Sequence, residues 1–508
     1  PTRLLEFTAT EGTWISADVS PDGRRVVFDL LGHLYEMPIE GGNAVALTQG
    51  RSFNHLPRYS PDGRQILFTS DRGGKEELWL LVRGTASVHR FASFDSRTFL
   101  GSWSRDGRYA YAGTMDLGAR FGATRVDRHG SRVTLLSNAI FGIASHFSEH
   151  PNNGKVYFAE AAGPLYQSGY RIRTYDLTTG VVSTYIERPG GAASPLVSPD
   201  GNWLAYVHRA DLETVLVLHD LATQRERVLV SKLDHDRMES GPGGTYGVYP
   251  LMSWTPDGKA IVFSSGGKLN SVELATGAVR AIPFSAPVRR PIVDRLAFEV
   301  PLPVDGKVRT RVHRWIQPTD QGVLSEALGD IHLGSGGQVT NLTRSRAFES
   351  SPAYDPATKT VYYASWSDDS LGSVWSLPLA GTRRVPARLT TVAASYGGLT
   401  LSADGKTLAY LRGAGDLNRG AALEQQSEFT LLVMGPDRTE REVTTLVWRP
   451  SNPLAVRVAP AIRFNPAGDR LLVNELERDT LFLREVRLDG QGKKTLFAFP
   501  HGARAVVS

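Results

Sequence analysis

A phrase that first stands as Ser20-Pro21-Asp22-Gly23-Arg24-Arg25-Val26-Val27-Phe28 returns at residues 60–68, 198–206 and 255–263. Looser copies are Ser104-Arg105-Asp106-Gly107-Arg108 and Ser402-Ala403-Asp404-Gly405-Lys406. Its chemistry is that of a tight turn: proline presets φ at the first corner, aspartate accepts local backbone N–H groups, and glycine takes the corner with φ > 0. The residues after the turn alternate, with Val26 and Phe28, Ile66 and Phe68, or Ile261 and Phe263 on one side. A strand with one buried face therefore follows each turn. A chain written around this phrase folds as a series of β-hairpins.

The turn aspartates Asp22, Asp62 and Asp106 lie 40 and 44 residues apart, and after a degenerate copy at Asn153-Gly154 they resume at Asp200 and Asp257. A four-stranded antiparallel blade of a β-propeller occupies about 40–50 residues, which suits these intervals. The first unit shows the grammar: residues 14–20 enter as the inner strand, 25–30 return, 32–37 form the third strand and 44–48 the outer edge. About six such units precede Pro287. Beyond it residues 297–307 read as a connection, and the repeat resumes near Ser351-Pro352, Ser402-Ala403 and Asn465-Pro466. Roughly ten blades exceed the usual four to eight of one ring. The expected fold is all-β: β-propeller repeats of four-stranded antiparallel blades, in two consecutive propellers over residues 1–287 and 288–508, the second incomplete. Leu4-Leu5-Glu6-Phe7-Thr8 reads as an outer strand placed ahead of its own blade. Ala503-Arg504-Ala505-Val506-Val507 reads as an inner strand ending where the turn should follow. Residues 416–428 read as a short helix or a long loop.

Composition narrows the function classes. Fifty-seven Lys and Arg against 52 Asp and Glu leave a formal charge of +5, scattered along 508 residues, so no nucleic-acid partner is expected. The absence of cysteine removes disulfides, thiolate metal sites and thiol nucleophiles. No run of 18 apolar residues and no charged-then-apolar leader at Pro1 is present, so the expectation is a chain without a membrane span whose export signal has been removed.

No catalytic signature survives inspection. His146 and His150 have the i, i+4 spacing of a helical metal pair, but their surroundings read as strand and turn, where that spacing gives no shared helical face. Gly405-Lys406-Thr407 imitates the end of a phosphate loop, yet Thr400 stands where the first glycine is needed. Gly334-Ser335-Gly336-Gly337 lacks the spacing of a nucleophile elbow. Asn341-Leu342-Thr343 matches a glycosylation acceptor and also the blade ending seen at Leu47-Thr48, which is the reading preferred. Most repeat aspartates have a turn to hold. Residues entering inner strands face the central channel of a propeller, so His55, Arg58, Trp103, His146, Tyr249 and Glu349 are the channel and ligand candidates. Catalytic, cofactor and metal residues are expected to be none.

The turn phrase, with Ser70-Asp71-Arg72-Gly73-Gly74 after a second strand and Leu47-Thr48 closing a blade, resembles the TolB and tricorn-protease type of β-propeller. A narrower likeness lies in Phe7-Thr8-Ala9-Thr10-Glu11-Gly12-Thr13-Trp14, in Asp18-Val19-Ser20-Pro21-Asp22-Gly23, and in Phe28-Asp29-Leu30-Leu31-Gly32-His33-Leu34-Tyr35. These stretches, with Ile282-Pro283-Phe284-Ser285-Ala286-Pro287-Val288-Arg289-Arg290 and Phe348-Glu349-Ser350-Ser351-Pro352-Ala353-Tyr354, resemble the amino-terminal half of large bacterial exported amidohydrolases. In that family a TolB-like propeller region precedes a metal-dependent barrel.

The resemblance implies a parent hydrolase acting on C–N bonds, with a divalent, zinc-like metal held partly by a His-x-His pair. None of the 12 histidines forms such a pair, so the metal is expected only in an amidohydrolase domain outside this chain. The implied role is a non-catalytic propeller controlling access of peptide-like or small amide substrates to a hydrolase domain or chain continuing after Ser508, in the periplasm or outside the cell. Two alternatives stay open: a stand-alone TolB-like periplasmic interaction scaffold, and the propeller of a prolyl-oligopeptidase-type serine peptidase.

Overall fold

Every copy of the turn phrase closes with the same bonds. Ser20 Oγ donates to Asp22 Oδ1 at 2.6 Å, the N–H of Arg24 donates to that oxygen at 3.1 Å, and the N–H of Arg25 donates to Ser20 Oγ at 2.9 Å. Ser60 with Asp62, Ser104 with Asp106 and Ser402 with Asp404 repeat the pattern. Gly23 takes φ 71° and Gly63 φ 67°, which a side chain would resist. The computed structural model describes residues 2–500 apart from 86, 93–96, 116–120, 128–132, 136–143, 163–168, 239–246, 294–298, 302–305, 307–309, 381–383, 416–419, 421–422, 424–425, 451–457 and 479.

These turns generate blades. The first consists of Ala17–Val19, Arg25–Leu30, His33–Pro38 and Val45–Ala46, with Phe28 opposite Tyr35 and Val27 opposite Glu36. The second is Asn54–Tyr59, Gln65–Ser70, Glu77–Val82 and Val88–Ala92. Four further antiparallel sheets follow on the inner strands Arg97–Trp103, Ala144–Glu149, Ala193–Val197 and Ser253–Trp254. The aromatic that ends each phrase is driven inward: Phe28, Phe68, Tyr206 and Phe263 are all buried, each worth about 1.5–3 kcal/mol of transfer free energy. The ring closes on itself. Ala17 N–H donates to Leu251 O at 3.0 Å, and Val262 and Leu269 of the sixth blade share one core with Phe28 of the first.

The chain divides into two compact units, Pro1–Phe298 and Glu299–Ser508. The long strand Phe284–Val293 runs across residue 287 within the first, because its partner is the opening strand Thr2–Ala9, antiparallel with Thr2 opposite Val293. Thr2–Ala9 is thus not the outer strand of a four-stranded blade, as its sequence suggests. Val45–Ala46 already occupies that edge of the first blade, so the opening strand pairs with Phe284–Val293 instead. In the second unit the inner strands are Arg314–Thr319, Phe348–Asp355, Tyr396–Leu401 and Ile462–Phe464. There Glu440–Pro450 outgrows its blade and pairs in parallel with Arg470–Arg478, joining two sheets. Most of residues 416–425, parts of the 297–307 connection and all of 501–508 lie outside the described residues. Among the described residues no helix is long and apolar enough to cross a membrane.

Candidate functional site

Four of the six inner strands of the first unit share one irregularity. Leu56 (φ 58°), Leu100 (φ 52°), His146 (φ 52°) and Ser194 (φ 51°) all enter the left-handed region, and each stands four residues before its turn. Pairing with the second strand slips at the same point, between His55 and Arg58, Phe99 and Ser102, Ser145 and Ser148, and Ala193 and Leu196. Such a bulge costs about 1–2 kcal/mol at a residue with a Cβ and re-aims the side chain that follows.

The re-aimed residues are Arg58, Ser102, Ser148 and Leu196. With Asp18 of the first blade and Ser253 of the sixth they form one ring, each two positions before its turn residue, and all six line a cavity of about 220 Å³. The ring also stitches blades together. Ser253 Oγ accepts the N–H of Val19 at 3.1 Å, Asp18 Oδ2 that of Tyr59 at 2.7 Å, and Ser148 Oγ that of Val197 at 2.9 Å. Arg58 Nη1 donates both to Asp18 Oδ1 at 3.0 Å and to Met252 O at 2.9 Å, so three blades meet at one guanidinium.

Of the residues singled out in the sequence, Arg58, Trp103 and His146 line this cavity. His146 Nε2 lies 3.0 Å from Tyr249 O, an acceptor only, so Nε2 carries the proton and Nδ1 accepts from Ser145 Oγ. Burial pushes its pKa down to about 4, and a neutral ring with both nitrogens engaged is a structural strut. Tyr249 contributes that carbonyl, while its hydroxyl donates to Ser264 O at 2.8 Å. Trp103 packs edge-on against Phe91 at 5.6 Å.

His55 lies apart, in a second cavity of about 250 Å³ with Trp14, Phe53 and Asp29. Burial pushes His55 down to about 3 and Asp29 up to about 7, although Asp29 accepts the N–H groups of Ser16 at 2.9 Å and Leu56 at 2.8 Å. Arg237 lies 4.2 Å over the Trp14 ring at the same place. Glu349 belongs to the second unit.

Reading by residue type overlooked Asp18, Ser102, Ser148, Ser194 and Ser253, all on the cavity wall. The signal that finds most of them is register: two positions before each turn residue. Chemically the ring can bind. Its hydroxyls donate and accept, its single ion pair is internally balanced, and among the described residues no serine of the ring is hydrogen-bonded to a histidine.

Residues 3–168 match the family model of the TolB beta propeller domain. An uncharacterized protein of Agrobacterium fabrum is 27% identical over 201 residues, 38% of this chain and 54% of that protein. The Tol-Pal system protein TolB of Anaeromyxobacter dehalogenans is 31% identical over 106 residues, 21% of this chain and 20% of its own length. The matched region thus spans about half of the first relative and a fifth of the second. Among solved structures, a putative TolB from Agrobacterium tumefaciens covers 50% of this chain and 87% of its own, with a TM-score of 0.39 at 20% identity. The tricorn protease covers 96% and 63%, with a TM-score of 0.42 at 14% identity. Residues 3–168 thus carry a β-propeller region of the TolB type.

Proposed function

We propose that this chain is the non-catalytic propeller portion of an exported metal-dependent amidohydrolase, whose first-unit channel controls access of peptide-like or small amide substrates to a hydrolytic domain outside the chain. The observation that carries the reading is the ring from Asp18 to Ser253: side chains from separate blades, most of them polar, converge on one cavity, and among the described residues no serine of the ring is bonded to a histidine. Ser102, Ser148, Ser253 and the Arg58–Asp18 pair present donors and acceptors together, as an amide requires. At about 220 Å³ the cavity is smaller than the roughly 300–1,000 Å³ of sites that enclose a drug-sized molecule, so it takes one side chain or chain end at a time. The likeness at residues 7–23 and 282–290 supports the amidohydrolase setting, with the zinc-like metal in the barrel and the periplasm as compartment.

Two measurements test this. Supplied with divalent metal, the chain alone leaves short peptide amides intact; robust turnover overturns the non-catalytic reading. Short peptides quench tryptophan fluorescence, to which Trp103 and Trp254 on the cavity wall contribute, and Ser102→Phe abolishes the change by filling the cavity. Peptides that bind both proteins alike overturn the channel reading.

A second reading, a TolB-like periplasmic interaction scaffold, is favoured by the family match over residues 3–168. Pull-down from periplasmic extract separates the two. Envelope proteins recovered without any hydrolase favour the scaffold.

A further inference from the structure

The second unit holds an acidic pair, Glu349 buried and Asp330 half-buried, that the channel reading does not use. Glu349, 2% exposed, is anchored by its own N–H, which donates to Gly329 O at 2.7 Å. Its carboxyl meets that of Asp330, the first residue of strand Asp330–Ser335. Ser345 Oγ donates to Glu349 Oε1, while Oε2 is enclosed with no donor in hydrogen-bonding geometry. Thr343 Oγ1 stands beside both carboxyls, 3.4 Å from Asp330 Oδ1, and Asn341 Nδ2 donates to Asp330 Oδ2 at 2.6 Å. Arg314, the cation of this blade, is bound to Glu326 at 2.8 Å. Among the described residues no basic side chain is bonded to either carboxyl group; His332 Nδ1 lies 3.1 Å from the backbone oxygen of Asp330. Burial, with Asp330 adding to it, raises the Glu349 carboxyl to about 7. A buried carboxylate set against a half-buried one does not stay ionised without a proton or a cation between them.

The equivalent corner of the first unit shows what the blade itself requires. Asn54 takes the place of Glu349, its N–H donating to Gly32 O at 3.0 Å. Its side chain donates to Gly32 O at 3.0 Å and accepts from Ser70 Oγ at 2.8 Å and Arg72 Nη2 at 2.7 Å. A neutral amide satisfies the fold. The acidic pair is chemistry added to the corner.

We propose that Asp330 and Glu349 hold a hard, oxygen-seeking metal cation of the calcium class, with Thr343 Oγ1, Ser345 Oγ and water completing its ligands. Among the described residues no three His, Cys, Asp or Glu groups come together as metal ligands, so these two carboxylates would be the only anionic ligands. Two carboxylates with hydroxyl oxygens suit a hard ion with flexible coordination. The proposal departs from the expectation of a metal-free chain, and it stands independently of the channel.

Thermal unfolding of the full chain, stripped with a chelator and held at pH 8, is the test. Millimolar calcium chloride raises the second unit's transition by about 5 °C in the wild type, as site occupancy well above Kd requires. Magnesium chloride at equal ionic strength shifts it less. Glu349→Gln, which supplies the same amide chemistry as Asn54 and so keeps the corner satisfied, abolishes the shift. Calorimetric titration with calcium finds one site in the wild type and none in Glu349→Gln or Asp330→Asn. No calcium shift in the wild type at pH 8, or an equal shift in Glu349→Gln, overturns the proposal.

Discussion

The two units run the same repeat and place different chemistry on it. In both, the inner strand bulges through a left-handed residue, Leu56, Leu100, His146 and Ser194 in the first unit and Trp315 (φ 47°), Ser351 (φ 52°) and Gly398 (φ 63°) in the second. The positions re-aimed by the bulge then diverge. The first unit presents Arg58, Ser102, Ser148 and Leu196, with Asp18 and Ser253 at the same register on the unbulged strands; the second presents Gln317, Ala353 and Thr400. The corner diverges in the same way, with a satisfied amide at Asn54 and an acidic pair at Glu349. What the repeat keeps is where side chains are aimed; the residue standing at each aim differs between the units.

The largest expected effect separates the two units. Asp18→Ala strips a nearly buried guanidinium of its partner and the N–H of Tyr59 of its acceptor, and should cost about 3 kcal/mol in urea unfolding of the first unit. Thr400→Ala, at the matching position of the second unit, should cost about 0.5–1 kcal/mol. Equal losses would break the comparison.

Next comes the corner. In the presence of a chelator at pH 8, Glu349→Gln should stabilise the second unit by about 2 kcal/mol, measured by denaturant unfolding, because it removes a buried carboxylate that lacks a counter-charge. The pH dependence has a defined sign. Glu349 binds its proton more tightly folded, at about 7, than unfolded, at about 4.5, so its contribution is complete below about 4.5 and is lost as pH rises through about 7. Asp29 is also raised to about 7 and acts in the same direction in the first unit. A Glu349→Gln profile should therefore keep the first unit's slope while the second unit's flattens; a second-unit slope unchanged by the substitution would sink the assignment.

A smaller effect comes from making the first corner acidic. Asn54→Asp replaces the donor to Gly32 O with an oxygen while keeping the contact to Arg72, and should cost about 1–2 kcal/mol by thermal or denaturant unfolding. The smallest effect should not distinguish the units at all. Ser60→Ala and Ser402→Ala each remove the hydroxyl that donates to the turn aspartate and accepts the N–H opening the next strand, and should each cost about 1 kcal/mol, read as matched shifts in unfolding midpoint.

The blades were legible because the turn phrase is local: Pro21, Asp22 and Gly23 need only one another to form the corner, and the alternation after them marks the buried face. The ring was less legible. A wall position is defined by its distance from the turn, and Asp, Arg, Ser and Leu all occur there, so choosing by residue type favoured His55, one residue before the bulge, and Tyr249, whose hydroxyl is spent on Ser264. Arg58 was found because it is charged; Ser102 was passed over because serine is common. The partner of Thr2–Ala9 could not be read locally either, since it lies more than 270 residues away in Phe284–Val293.

That pairing has a consequence for modularity. Because Thr2 faces Val293, the polypeptide leaves the first ring beside the point where it came in. A body whose entrance and exit coincide can be set into a surface loop of a host protein, or excised from one, without displacing its flanks. The eight paired positions also release in order from that shared doorway, so tension between the two strands would peel them successively while the six blades stay shut.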